Sequence, residues 1–294
     1  MTDFLTRVLV WLNSPANAVG KLLLAPIGVL PGWLSATLAA AITGVALLAV
    51  FKFTSNQRAI KRVKDEIKAN LLSLKLFNTG ASVALRAQGR VLRAAAGLLV
   101  LAIVPMMVMT VPVLLVLGQL SLWYQARPLR VGEDAVVTLK LGAGAAWPEV
   151  SLGPSADVDV AIGPVRVRNR GVPGGGLRGV PGGGLREVCW SIQARRPGQH
   201  RLAFQVGDQT FEKDLVVGDR FMRVSSLRPD WDFADTLMHP AETPFAPGSP
   251  IGSIAIDYPK RAGWTCGTDS WVVYWFVVSM VTGFAFRRLL NVNI

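Results

Sequence analysis

The chain has little of what catalytic and metal-binding sites are usually made from. Its 294 residues include only two cysteines and two histidines. Neither histidine sits in a nucleophile motif, so Ser-His-Asp triads and Cys-His dyads have little support, and the sequence reads as a protein that is not an enzyme and uses no cofactor. Asp230, Asp232, Asp235, His239 and Glu242 form the densest group of potential ligands. Carboxylates and one imidazole at such uneven spacing do not make the pattern of a metal site, and no metal is expected. Charge is missing where transport would need it. Three apolar runs, Leu34 to Phe53, Ala94 to Tyr124 and Trp271 to Phe286, carry no ionisable side chain except Lys52 near the end of the first and Tyr124 and Tyr274 in the others. Proton relays and ion pathways therefore have no mid-span carboxylate, histidine or cation to stand on.

What is present is hydrophobic length. Just over half of the residues are hydrophobic and the mean hydropathy is positive. A bilayer core is spanned by a helix of about 20 apolar residues. The first two runs meet that length. The third is shorter, but Arg287 and Arg288 can snorkel while Leu289 and Leu290 add apolar length. Polar groups inside the runs are mild: Thr43, Thr110, Gln119, Ser279 and Thr282.

The net charge of +12 is unevenly placed. Between the first and second runs, Lys52 to Arg93 holds ten Lys or Arg against Asp65 and Glu66. Residues 125 to 270 are nearly balanced, with 17 basic and 16 acidic side chains. Lys and Arg in short loops stay cytoplasmic. The expected topology is N-terminus out, loop 54–94 in, residues 125–270 out and C-terminus in, in a bacterial inner membrane. The basic loop lies beside an anionic leaflet, which accounts for the high pI better than nucleic acid does. At the N-terminus, the apolar patch Val8 to Leu12 is too short for a signal-peptide core. Phe4 to Pro31 reads as an interfacial or re-entrant segment, with Trp11 and Trp33 at headgroup depth.

After the first run, Thr54-Ser55-Asn56 supplies helix N-caps. Ile60, Val63, Ile67, Leu74 and Phe77 then follow a 3-4 spacing with Asn70 in the remaining position, which predicts an amphipathic, coiled-coil-like helix of about 23 residues, about 35 Å long at 1.5 Å per residue. Its basic surface is Arg58, Lys61, Arg62, Lys64, Lys68 and Lys75. A second basic helix, Ser82 to Arg93, closes a helical hairpin at 54–94. The span at 95–124 carries Pro105 and Pro112 with Met106, Met107 and Met109 around them. Flexible, polarizable methionines suit surfaces that accept varied apolar ligands. Residues 125–225 alternate in short strands: Ala135 to Leu141, Val158 to Ile162, Val165 to Arg170, a run around Cys189 to Ala194, and His200 to Val206 with Thr210 to Val217 on either side of Gly207-Asp208. The spacing predicts an immunoglobulin-like β-sandwich. Gly171 to Arg178 recurs as Gly179 to Arg186, a duplicated loop too short for a solenoid. Residues 226–270 read as an irregular juxtamembrane segment across the membrane face of the sandwich, ending in a last strand at Ile251, Ile254 and Ile256. Residues 271–288 form the third span and 289–294 a tail. Cys189 and Cys266 both fall outside, where a disulfide is permitted. The fold class expected is an α+β membrane protein: three transmembrane helices, a cytoplasmic helical hairpin and an extracytoplasmic immunoglobulin-like sandwich.

The outside N-terminus, the basic amphipathic hairpin beginning Ser55-Asn56-Gln57-Arg58-Ala59-Ile60-Lys61-Arg62-Val63-Lys64, the Met- and Pro-bearing second span and a third span ending inside together resemble the three-span branch of the YidC-type insertase superfamily. The resemblance covers residues 1–124 and 271–294. It implies a membrane groove that guides apolar segments into the bilayer, with client membrane proteins and the ribosome as partners. Met106, Met107, Met109, Gln119 and Lys52 are then the client-contact residues. The family groove usually carries a mid-span cation, and here the nearest is Lys52. The outer β-domain is not a constant feature of the group. Two functions stay open: an insertase-like or chaperone factor, and an envelope-binding anchor that acts through its β-domain on an envelope protein, either of them as an oligomer. A transporter is disfavoured, with too few spans and no repeat of them.

Overall fold

The computed structural model describes residues 2–27, 29–76, 81–142, 147–169, 185–261 and 268–292. Three helices are long and apolar enough to cross a membrane: Asp3–Ile27, Gly32–Thr54 and Gln88–Tyr124. The apolar helix Ser270–Phe286 is shorter. The number agrees with expectation, but the membership differs. The N-terminal segment, expected to be interfacial, forms a helix of spanning length because Pro15 and Pro26 do not interrupt it. The chain divides into two compact units, residues 1–35 with 117–272, and residues 36–116 with 273–294.

The first unit holds α1 (Thr2–Ile27) and two antiparallel sheets. One sheet has the order β3-β4-β1-β8-β7, from Val158–Asn169, Leu185–Ala194, Asp134–Leu141, Ile251–Ile256 and Leu227–Arg228. The other has the order β2-β5-β6, from Val150–Leu152, Gly198–Val206 and Gln209–Val217. Period-2 alternation puts every second residue on the inner face. Val137, Leu139, Trp190, Ile192, Ile254 and Ile256 from the larger sheet thus share one core with Leu202, Phe204, Val206 and Leu215 from the smaller. Trp190 and Phe204 meet with ring centroids 5.4 Å apart. The expected strands at 158–162 and 165–170 are one strand, β3, whose pairing register with β4 shifts between Val160 and Val165. The segment expected to be irregular contains β7, a six-residue helix α5 (Phe233–Met238) and β8. Asp232 caps α5 by accepting from the backbone N–H groups of Ala234 and Asp235. The duplicated loop lies outside the described residues except for Leu185 and Arg186, which open β4.

The second unit holds most of α2 (Gly32–Thr54), α3 (Gln57–Leu76), the larger part of α4 (Ala81–Tyr124) and most of α6 (Thr268–Phe286). The Asn56 Oδ1 accepts from the Ala59 N–H at 3.1 Å, the cap expected at the start of α3. Ile60 is buried, while Arg58, Lys61, Arg62 and Lys68 are exposed, so the amphipathic stripe faces as its spacing dictates. The second basic helix and the following span are one continuous 44-residue helix, α4, with no break near residue 94. Pro105 and Pro112 lie within it. A proline removes one backbone donor, yet flanking i→i−4 bonds can carry the helix past it.

Candidate functional site

Helices α2 and α6 run side by side in the same direction. Thr37 Oγ1 and the Tyr274 hydroxyl share a hydrogen bond of 2.6 Å, and Trp275 Nε1 donates to Thr43 Oγ1 at 2.8 Å. A turn further on, Gly44 meets the backbone of Ser279 so closely that a Cβ there would fall 2.5 Å from the Ser279 carbonyl oxygen. Gly283 faces the Gly44 carbonyl in turn. Small residues allow such approach, and in lipid that packing is what holds helices together. The order 37, 43, 44 against 274, 275, 279 rises in step along both helices, which fixes their parallel sense.

Beside this contact lies an open groove of 330 Å³. Leu48 and Phe51 come from α2, Met109 and Val113 from α4, and Phe276 and Met280 from α6. No ionisable side chain lines it, and Ser279 donates its hydroxyl to the Phe276 carbonyl within its own helix. The groove can therefore take an apolar moiety by shape and dispersion, and it offers no acid, base or nucleophile. Of the sequence-expected contact residues, Met109 is on its wall. Met106 and Met107 are exposed on α4, Met107 at 71%. Lys52 stands in the last turn of α2 and does not line the groove.

Gln119 has a different place. It belongs to the first unit, is buried, and donates through Nε2 to the Asn17 Oδ1 at 2.8 Å. Asn17 also accepts from Arg223 Nη2 at 2.5 Å and donates to the Pro240 carbonyl at 2.7 Å. One turn earlier, Asn13 donates to the Thr236 carbonyl at 3.2 Å. Gly20 leaves room for Gln119, since a Cβ there would lie 2.6 Å from Gln119 Oε1. Thr6, Leu9, Asn13, Gly20 and Leu24 thus form one buried stripe along α1. Phe4, Val8, Trp11, Val19 and Leu22 form an exposed apolar stripe, with Trp11 at 73%. Asn13, Asn17 and Gly20 are not among the residues expected from the sequence. Their signal was there: polar and small residues at i, i+4 and i+7 on an otherwise apolar helix mark a face that meets polar backbone.

A second buried polar cluster joins β6 to the loop before β8. Lys213 is fully buried and donates to the Ser225 carbonyl at 2.7 Å, to Ser225 Oγ at 3.1 Å and to Glu242 Oε1 at 2.5 Å. Burial pushes the Lys213 ammonium pKa down, against the pull of the Glu242 carboxylate. A Ser beside a Lys resembles a nucleophile and its base. Here the amine is enclosed, and Glu242 and two backbone carbonyls occupy its hydrogens, so the cluster is a tie between loops. At the start of the sandwich, Arg127 makes a two-pronged pair with Glu133 at 2.8 and 2.7 Å and holds that carboxyl at a pKa of about 2. Cys189 Sγ lies 3.8 Å from Thr138 Oγ1; its expected pairing with Cys266 falls outside the described residues, as does the side chain of Lys75. Among the described residues, no cluster of three His, Cys, Asp or Glu side chains could hold a metal ion. No protein-family model matches the chain, and no curated protein or solved structure is significantly similar to it.

Proposed function

We propose that this protein is an insertase-like membrane chaperone that holds an apolar segment of a client protein in the groove between α2, α4 and α6. The groove itself carries the proposal. Within hydrocarbon, apolar helices gain little from one another by the hydrophobic effect, so recognition falls to packing. A gap lined by two methionines, three phenylalanines and a small-residue crossing gives a client helix contact that kinked lipid chains fill poorly. The absence of a charged group distinguishes it from the hydrophilic groove implied by the resemblance to YidC-type insertases. In this reading the client's apolar length is the part recognised.

The proposed topology has α2 and α6 entering from outside and α4 returning. The parallel sense of α2 and α6 supports it, as does the bond of 2.6 Å between Ser35 at the start of α2 and Tyr124 at the end of α4. The Tyr124 ring also lies 6.3 Å from that of Trp271, early in α6. Aromatic rings favour the interface, which puts these three ends at one level. The basic α3 and the first turns of α4 are then the cytoplasmic hairpin that meets clients or the ribosome. In the sandwich, β3-β4-β1 beside β2-β5-β6 has the D-E-B and C-F-G order of an immunoglobulin domain, with β8 in the place of strand A. The full α1 lies flat in the outer interface, its buried stripe on the sandwich and its exposed apolar stripe in lipid.

Depletion of the protein from its native cell is expected to reduce insertion of single-span reporters with short tails. Reversal of charge at the exposed Lys61, Arg62 and Lys68 should reproduce that defect. A second reading, an envelope anchor, draws on the edge strand β3, where Val160, Ile162, Val165 and Val167 are exposed and Ile162 reaches 63%. Exposed apolar strand edges attract partners. Unaffected insertion with failing envelope integrity would replace the first reading by this one.

A further inference from the structure

A cavity of 690 Å³ opens in the first unit between α1 and the smaller sheet. Its wall includes Lys21 from α1, Trp123 from the last turn of α4, His200 and Arg201 from β5, and Arg223. Asp214 also contributes to the wall, and its carboxylate lies 3.6 Å from Arg201. Arg201 is paired again with Glu212 at 3.2 Å. The cavity is left with two cations whose charge no carboxylate meets within 4 Å among the described residues, Lys21 and Arg223. Arg223 is half-buried, its only hydrogen-bonded partner among those residues is the neutral Asn17, and its Nε is buried with no acceptor. The indole N–H of Trp123 is likewise buried without a partner. Asp214 and Glu242 act on the Arg223 guanidinium only from beyond ion-pair distance, and a guanidinium withdrawn from water without a close anion is costly. Burial outweighs the pull of these two carboxylates and pushes the Arg223 pKa down.

We propose that this cavity binds one anionic phospholipid, with its phosphate between Lys21 and Arg223. The inference rests on the reading of α1 as an interfacial helix. The chemistry is that of a phosphodiester. Arginine offers a planar donor fork matched to phosphate oxygens, and Lys21 adds a point charge. A membrane lipid fits better than a free ion because the cavity shares α1 with the exposed apolar stripe Trp11, Val19 and Leu22. Acyl chains can follow that stripe while the headgroup sits in the cavity. The volume falls in the usual range for a small-ligand site. A lipid held there would stop α1 from separating from the sandwich, since Lys21 belongs to the helix and Arg223 to the domain.

The test uses the full chain in nanodiscs of phosphatidylcholine with a minor share of phosphatidylglycerol, followed by native mass spectrometry of the released protein. The expected result is one retained phosphatidylglycerol per chain, enriched over phosphatidylcholine. Lys21→Gln, at an exposed position, should lower that retention about fivefold, the equivalent of about 1 kcal/mol per cation; Arg223→Gln should lower it at least as much. Millimolar inorganic phosphate should not displace the lipid. Equal retention of both lipids, or no change in Lys21→Gln, overturns the proposal, and displacement by phosphate overturns its lipid source. The α1 reading is checked separately in a Cys189→Ser, Cys266→Ser background with spin labels on Phe4→Cys and Leu22→Cys. Equal shallow depth supports an interfacial α1; opposite leaflets reject it whatever the lipid count shows.

Discussion

Asn17 ties four parts of the first unit together through one side chain: its amide joins α1 to Gln119, Arg223 and the Pro240 carbonyl. Asn17→Ala removes the shared partner and strands buried donors. A buried group left unpaired costs about 1–3 kcal/mol, so a loss of about 2 kcal/mol or more is expected in denaturant unfolding of the full chain. Lys213→Met should cost more, about 3–5 kcal/mol, because Glu242 would remain nearly buried with its charge unmet. The double variant with Glu242→Gln should recover part of that loss, and a double-mutant cycle measures how much. Glu133 gives a pH signature. Its carboxyl titrates at about 2 in the folded chain against an ordinary 4.5, chiefly because Arg127 donates to it. Its contribution to stability is complete above about 4.5 and is lost as pH falls through about 2. Acid unfolding of Glu133→Gln should lack that part of the slope. None of these ties is legible in the sequence, for a common reason. Asn17 and Gln119 are 102 positions apart, and the segment that brings Glu242 back to Lys213 shows no periodic pattern in the sequence.

At the scale of elements, alternation and the 3-4 spacing did most of what could be done. β1, β5, β6 and β8 lie where the period of two put them, and the Asn56 cap starts α3. The short strands β2 and β7 were missed because three and two residues carry no period. The second basic helix and the span are one helix, α4, since a change from charged to apolar residues alters the helix's surroundings without altering its backbone. For α1, the short apolar patch and the tryptophans point to an interface but not to which face meets protein. Its two stripes lie on opposite faces, and only the positions of Asn13, Asn17 and Gly20 separate the face that meets protein from the face left exposed. The α2–α6 contact depends on Gly44 in the same way. Gly44→Val has no room against the Ser279 backbone and must push the helices apart. Overpacking of this kind costs about 1–3 kcal/mol. Thermal unfolding of Gly44→Val in detergent should then begin at a lower temperature than that of the native chain, and unchanged unfolding would show that the helices do not depend on this contact.

For the whole molecule, charge placement and run lengths were enough to expect a multi-pass membrane protein with a β-domain, and three apolar helices of spanning length agree with that expectation. The groove was not legible, because Leu48, Met109 and Phe276 meet only when three distant helices converge, and the methionine cluster alone pointed equally to Met106 and Met107. The most direct test of its role places a photo-crosslinking amino acid at Met109, with Val281 on the exposed surface of α6 as the control. After a pulse of membrane-protein synthesis in the native cell, position 109 should crosslink to apolar segments of newly made proteins and position 281 should not. Crosslinks to lipid alone at position 109, or equal crosslinking at both positions, would contradict a client-holding groove.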